Sequence, residues 1–107
     1  MSNEPNIVDR ILDAALEAGA ERLAISANHI PGMKAPGKQA SIIPGFEEII
    51  TGPMLYPSIQ KIIKENYRSD LGSGVGSHQF NYSRPGGTFR VYTNHLGSFS
   101  KFVRLAD

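Results

Sequence analysis

No cysteine occurs anywhere in the 107 residues. Disulfides, thiolate metal ligands and cysteine nucleophiles are therefore excluded, and a reducing compartment suits the chain. Neither charge is in excess: eleven Lys and Arg against ten Asp and Glu give a formal net charge of +1. That is too little to argue for a nucleic-acid partner or an anionic membrane surface. Long apolar runs are also missing, since none approaches the ~18 residues that a bilayer span needs. The opening Met1-Ser2-Asn3-Glu4-Pro5-Asn6 has neither the basic start nor the apolar centre of a secretory leader. A soluble cytoplasmic protein without membrane insertion is the expectation. The length suits one domain with one modest core, over residues 7–107 behind a flexible tail at 1–6.

What is present is punctuation by proline and glycine between short patterned segments. Asn6 can cap a helix, and Asp9 is well placed in its first turn. Ile7, Val8, Ile11, Leu12, Ala15 and Leu16 recur at spacings of three and four, one apolar helical stripe, and Gly19 ends it. Arg22 to Ser26 is a short strand, broken by Asn28-His29-Ile30-Pro31-Gly32. Met33-Lys34-Ala35 and 38–43 flank Pro36-Gly37 as a hairpin with a type II turn, its edge kept charged by Lys34 and Lys38. Pro44-Gly45 is expected to open a second helix over 46–50, stopped by Gly52-Pro53. A third helix follows, with Pro57 in its first turn and a stripe of Ile59, Ile62, Ile63 and Tyr67. A Gly/Ser connector at 69–77 leads on.

From His78 to Leu105 the period changes to two. His78 to Ser83, Thr88 to Asn94 and Ser98 to Leu105 read as three strands, with apolar residues alternating at Phe80/Tyr82 and Phe89/Val91/Thr93. Arg84-Pro85-Gly86-Gly87 and His95-Leu96-Gly97 supply the joints, glycine taking φ > 0 there. The order α-β-β-α-α-β-β-β predicts an α+β domain: an antiparallel sheet with helices largely on one side.

Few residues offer chemistry. The run 72–77 lacks the preceding strand, the following helix and the lysine of a phosphate loop. His29, His78 and His95 stand at turns or element ends without a ligand partner at metal-site spacing. No serine lies in a nucleophile elbow, and the acids fall on solvated helix faces. Neither a catalytic residue nor a metal ligand emerges. Arg84, Arg90, Lys101 and Arg104 interleave with Tyr82, Phe89, Tyr92 and Phe99. A stacking RNA surface would look similar, but the element order is wrong for the common RNA-binding sheet, and the alternative is aromatics in a core flanked by arginines.

Together these segments resemble the N-terminal domain of PilT-like motor ATPases, which drive type IV pilus retraction, with relatives in secretion systems. The matching segments are 19–26 after the first helix, Pro31-Gly32-Met33-Lys34-Ala35-Pro36-Gly37, and the closing meander. That meander reads Phe80-x-Tyr82-x-x-Pro85-Gly86, Phe89-Arg90-Val91, then Phe102-Val103-Arg104-Leu105. The sequence departs from the pattern at Arg22, Ala24 and Gln79.

The resemblance implies a PAS-like α+β domain that packs against a neighbouring ATPase core. It also implies that Arg90 and Arg104 reach nucleotide phosphates there, a role suited to guanidinium groups. No Walker motif is present, so the expectation is a non-catalytic domain with no cofactor of its own, touching ATP or ADP only in complex with a motor ATPase. Its partner would be that motor or another pilus or secretion protein. The alternatives are a small-ligand sensor and a homo-oligomeric interaction module.

Overall fold

The first apolar stripe folds into helix α1 (Ile7–Glu17). A computed structural model describes residues 6–66, 77–94 and 98–105. The tail before Asn6, Tyr67, connector positions 69–76 and the His95-Leu96-Gly97 joint lie outside these residues. The Asn6 side chain accepts from Val8 N–H (2.9 Å) and Asp9 N–H (3.3 Å), the expected cap. Its amide also donates to the Ser58 carbonyl at 3.0 Å, and the Ser58 hydroxyl donates back to Asn6. At the other end Gly19 takes φ +81°. Gly19 N–H bonds Leu16 C=O and Ala20 N–H bonds Ala15 C=O, the paired closure of a Schellman motif.

Six strands follow: β1 (Arg22–Ser26), β2 (Gly32–Lys34), β3 (Ser41–Ile42), β4 (Ser77–Arg84), β5 (Gly87–Asn94) and β6 (Phe99–Arg104). They form one antiparallel sheet in the order β3-β2-β1-β6-β5-β4. The Pro36-Gly37 turn is type II as expected: Gly37 has φ +73°, and Lys38 N–H donates to Ala35 C=O at 3.1 Å. β3 is the edge, so Lys34, one strand in on β2, does not guard it.

The region before the long helix corrects the sequence reading. Pro44-Gly45 does not open a helix. It makes a second type II turn, with Gly45 at φ +87° and Phe46 N–H bonded to Ile43 C=O at 2.9 Å. Residues 46–50 stay irregular because Ile50 is drawn into a β-bridge with His29. Ile50 N–H donates to His29 C=O, and Asn28 N–H donates to Ile50 C=O. Five residues between two Pro-Gly breaks would not repay the cost of helix nucleation. The helix then begins, rather than ends, at Gly52-Pro53: α2 spans Gly52–Asn66 and contains Pro57. Leu55 N–H closes the first turn on Thr51 C=O. Pro53 is tolerated because a first-turn N–H has no helical partner.

The buried stripes of α1 (Val8, Ile11, Leu12, Ala15) and α2 (Leu55, Ile59, Ile62, Ile63) meet one face of the sheet. The strands answer with Leu23 and Ile25, Phe80, Phe89 and Val91, and Phe102, two residues apart along each strand. Phe89 and Phe102 are fully buried and pack edge to face at 6.1 Å. One polar pair sits on the same side, Ser100 donating to the Thr93 hydroxyl at 2.9 Å. Both described helices cover this face, and no described helix covers the other. The chain is thus an α+β domain, as its segment pattern predicts.

Candidate functional site

Strand alternation sorts the basic residues of the meander into three groups. Arg84 is engaged within the fold. Its Nε and Nη2 each reach an Asp13 carboxylate oxygen at 2.9 Å, and Nη1 stands 3.5 Å from Asp9. Tyr82 hydroxyl donates to the same Asp9 at 2.6 Å. Asp13 raises the Arg84 pKa further above its usual value. Burial, reinforced by Asp9, pushes the Tyr82 phenol up to about 12. This group fastens α1 to β4. Asp9 and Asp13, read from sequence as merely solvated, belong to it.

Arg104 and Arg90 lie at the same end of the sheet on opposite sides. Arg104 pairs with Phe89, on the helix-covered side, whereas Arg90 pairs with Val103 on the other. Arg104 lies beside the Pro85-Gly86 turn, where a Cβ on Gly87 would stand 3.4 Å from its Nε and 3.1 Å from Leu16. Gly86 and Gly87 are not among the positive-φ glycines, contrary to expectation. Close approach to α1 and Arg104, rather than backbone angle, accounts for Gly87. Arg90 Nε donates to the Asn81 side chain at 2.6 Å. The two arginines therefore straddle a sheet end and do not form one clamp.

The third group occupies the uncovered face. Arg90, Tyr92, Phe99 and Lys101 stand there with Arg22 and Lys34, which strand pairing brings alongside. Tyr92 and Phe99 are among the exposed large hydrophobic residues, and the Lys101 ammonium lies 6.0 Å from the Tyr92 ring centre. A groove of about 500 Å³ opens on this side, lined by Ala24, Gly32, Ala40 and Phe99 together with Arg22, Lys34 and Lys101.

No family model and no curated protein matches the sequence. A solved structure does match: the crystal structure of the pilus retraction motor PilT with bound ADP has a TM-score of 0.63 and 22% identity. The alignment covers 97% of this chain and 30% of the PilT chain. This is a PilT-like fold. The chain thus corresponds to under a third of the motor's length.

Among the described residues, no group of three or more His, Asp or Glu side chains could hold a metal ion. His29 is exposed, its Nδ1 hydrogen-bonded to the Ala27 carbonyl at 2.9 Å. None of the described helices is long and apolar enough to cross a membrane. Of the meander's aromatic and basic residues, Phe89 and Tyr82 face the helices, Arg84 is ion-paired, and Arg90, Lys101, Tyr92 and Phe99 share the open face. Sequence reasoning missed that Arg22 and Lys34 join them. The period-2 pattern of each strand holds the necessary parity, but only the pairing of β2 with β1 and of β1 with β6 assigns a common face.

Proposed function

We propose that this chain is a non-catalytic, PAS-like domain of the PilT N-terminal type. It docks on a type IV pilus or secretion motor ATPase, or forms the N-terminal part of one, in the cytoplasm. The observation that carries this reading is the likeness to PilT along nearly the whole of this chain. Arg90 and Arg104 are the residues assigned to nucleotide phosphates of the neighbouring ATPase core. Their positions on two sides of one sheet end suit separate contacts, one guanidinium to each, rather than joint chelation. Arg90 is already oriented by Asn81, and Arg104 stands where the glycine turn leaves room. ATP or ADP is met only in that complex.

The test is co-purification with a PilT-type hexameric motor, followed by measurement of its ATP turnover with added domain. Wild type is expected to bind and to change turnover. Arg90→Ala/Arg104→Ala is expected to lose the effect on turnover while keeping its own melting temperature. If wild type neither binds nor alters turnover, the reading fails.

A further inference from the structure

The sheet face that no described helix covers has a charge pattern of which the motor-docking reading uses Arg90 alone. Pairing aligns Lys34, Arg22, Val103, Arg90 and Asn81 in one row across β2, β1, β6, β5 and β4. Two residues along the strands, the next row is Ile42, Gly32, Ala24, Lys101, Tyr92 and Gln79. Every charged residue in these rows is a cation. The described acids lie elsewhere: Asp9, Asp13 and Glu17 on α1, Glu65 on α2, and Glu21, Glu47 and Glu48 outside the helices and strands. Lys34 and Arg22 are direct cross-strand neighbours, and like charges so placed destabilise a sheet. Among the described residues the salt bridges belong to Arg84 alone, so no described acid pairs with Lys34 or Arg22 to offset that repulsion.

Beside the row lies the groove floored by Ala24, Gly32 and Ala40 and walled by Phe99. Phe99 is 49% exposed and Ile42 48%. An apolar trough beside a line of cations is complementary to a helix with an apolar stripe and an acidic flank. The spacing agrees: one helical turn rises about 5.4 Å, and neighbouring strands lie about 4.8 Å apart. A helix lying across the strands would bring carboxylates one turn apart to Lys34 and Arg22, and another two turns further on to Arg90.

We propose that the uncovered face binds an acidic amphipathic helix of a partner protein, with apolar side chains in the Ala24–Gly32–Phe99 groove and carboxylates on Lys34, Arg22 and Arg90. A second copy of this chain fits less well, because Asp9 and Asp13, two of the three acids on α1, already hold Arg84. Single-stranded nucleic acid fits less well too. Lys101 already stands over Tyr92, and a net charge of +1 gives no long-range attraction for a polyanion. The proposal does not depend on the PilT likeness, and its variants leave Arg90 and Arg104 untouched, so the two readings fail separately.

The probe is a synthetic amphipathic helix with Leu on one face and Glu on the other. It is compared with the same peptide carrying Lys for Glu, and with oligouridylate. Fluorescence anisotropy should show the Glu peptide binding at least about ten-fold tighter than the Lys peptide, and weakening as salt is raised. Amide shifts should map to Ala24, Gly32 and Lys101. Arg22→Glu/Lys34→Glu should reduce affinity by about ten-fold or more without lowering the melting temperature. Gly32→Leu should block the groove, since a Cβ there meets only the Ser41 carbonyl, at 3.7 Å. Equal affinity for the two peptides, absence of binding, or shifts confined to the helices overturns the proposal. So does tighter binding of oligouridylate, which would make this a nucleic-acid face. Self-association that disappears in the charge-reversed variant would instead assign the face to a second copy.

Discussion

Gly19 and Gly87 are required for different physical reasons, and their substitution separates the two. Gly19 holds φ +81°, and a Cβ there would meet nothing within 4 Å. Gly19→Ala therefore costs about 1–2 kcal/mol through backbone strain alone. At Gly87 the backbone angle is permissive, but a Cβ would come within 3.1 Å of Leu16. Gly87→Ala requires the half-buried Leu16 methyl to give by a few tenths of an ångström, an overpacking cost of about 1 kcal/mol or less. Leu16→Ala should partly rescue Gly87→Ala in denaturant unfolding and leave the Gly19→Ala deficit unchanged. Equal rescue of both would contradict this assignment. The sequence places a glycine correctly at the end of α1 because a helix end is a local matter. It cannot reveal that the second glycine makes room for a leucine some seventy positions earlier.

At the scale of elements, the strap between α1 and β4 responds to alkali. The Tyr82 phenol is raised to about 12 by burial and then by Asp9, above its unfolded value near 10. Its contribution to stability is thus complete below about pH 10 and is lost as pH rises through 12. The stability of wild type relative to Tyr82→Phe should stay level from neutral pH to about 10 and fall beyond it. A parallel decline of the two proteins would show that Tyr82 does not carry the effect.

The same scale shows what could be read beforehand. Period-2 alternation and the α1 stripe are local patterns, and both describe the folded elements correctly. Pro36-Gly37 and Pro44-Gly45 are the same dipeptide in the same turn, yet only the first is legible, because hairpin segments flank it. The second precedes a short run whose last residue is claimed by His29, a pairing between positions far apart in the chain. Pro53 and Pro57 mislead for a related reason. Packing of Leu55, Ile59, Ile62 and Ile63 against the sheet sustains a helix that local preference would start later.

For the whole molecule, the sheet consists of two antiparallel groups, β3-β2-β1 and β6-β5-β4, joined only along the β1–β6 seam. The α1-to-α2 half holds both helical stripes but lacks Phe80, Phe89, Val91 and Phe102. The meander half holds those side chains but no helix to cover them. If the chain is cut between α2 and β4, neither piece should fold alone. Mixed, they should recover the dispersed amide spectrum of the intact domain. A well-ordered first piece by itself would show that the seam is dispensable. The basic face belongs to this scale too. Arg22 and Arg90 flank Val103 only because the two groups of strands are joined, which is why residue order did not reveal the row of cations.

The same seam has a consequence during translation. Of the strands in this sheet, β1 leaves the ribosome before the others, and β2 can satisfy one of its edges at once. Its other edge, from Arg22 to Ser26, must wait for residues 99–103. Until those residues emerge, the nascent chain exposes the unpaired edge of β1. Such an edge invites pairing with other chains, so a chaperone's protection would be needed most between completion of the first hairpin and emergence of the last strand.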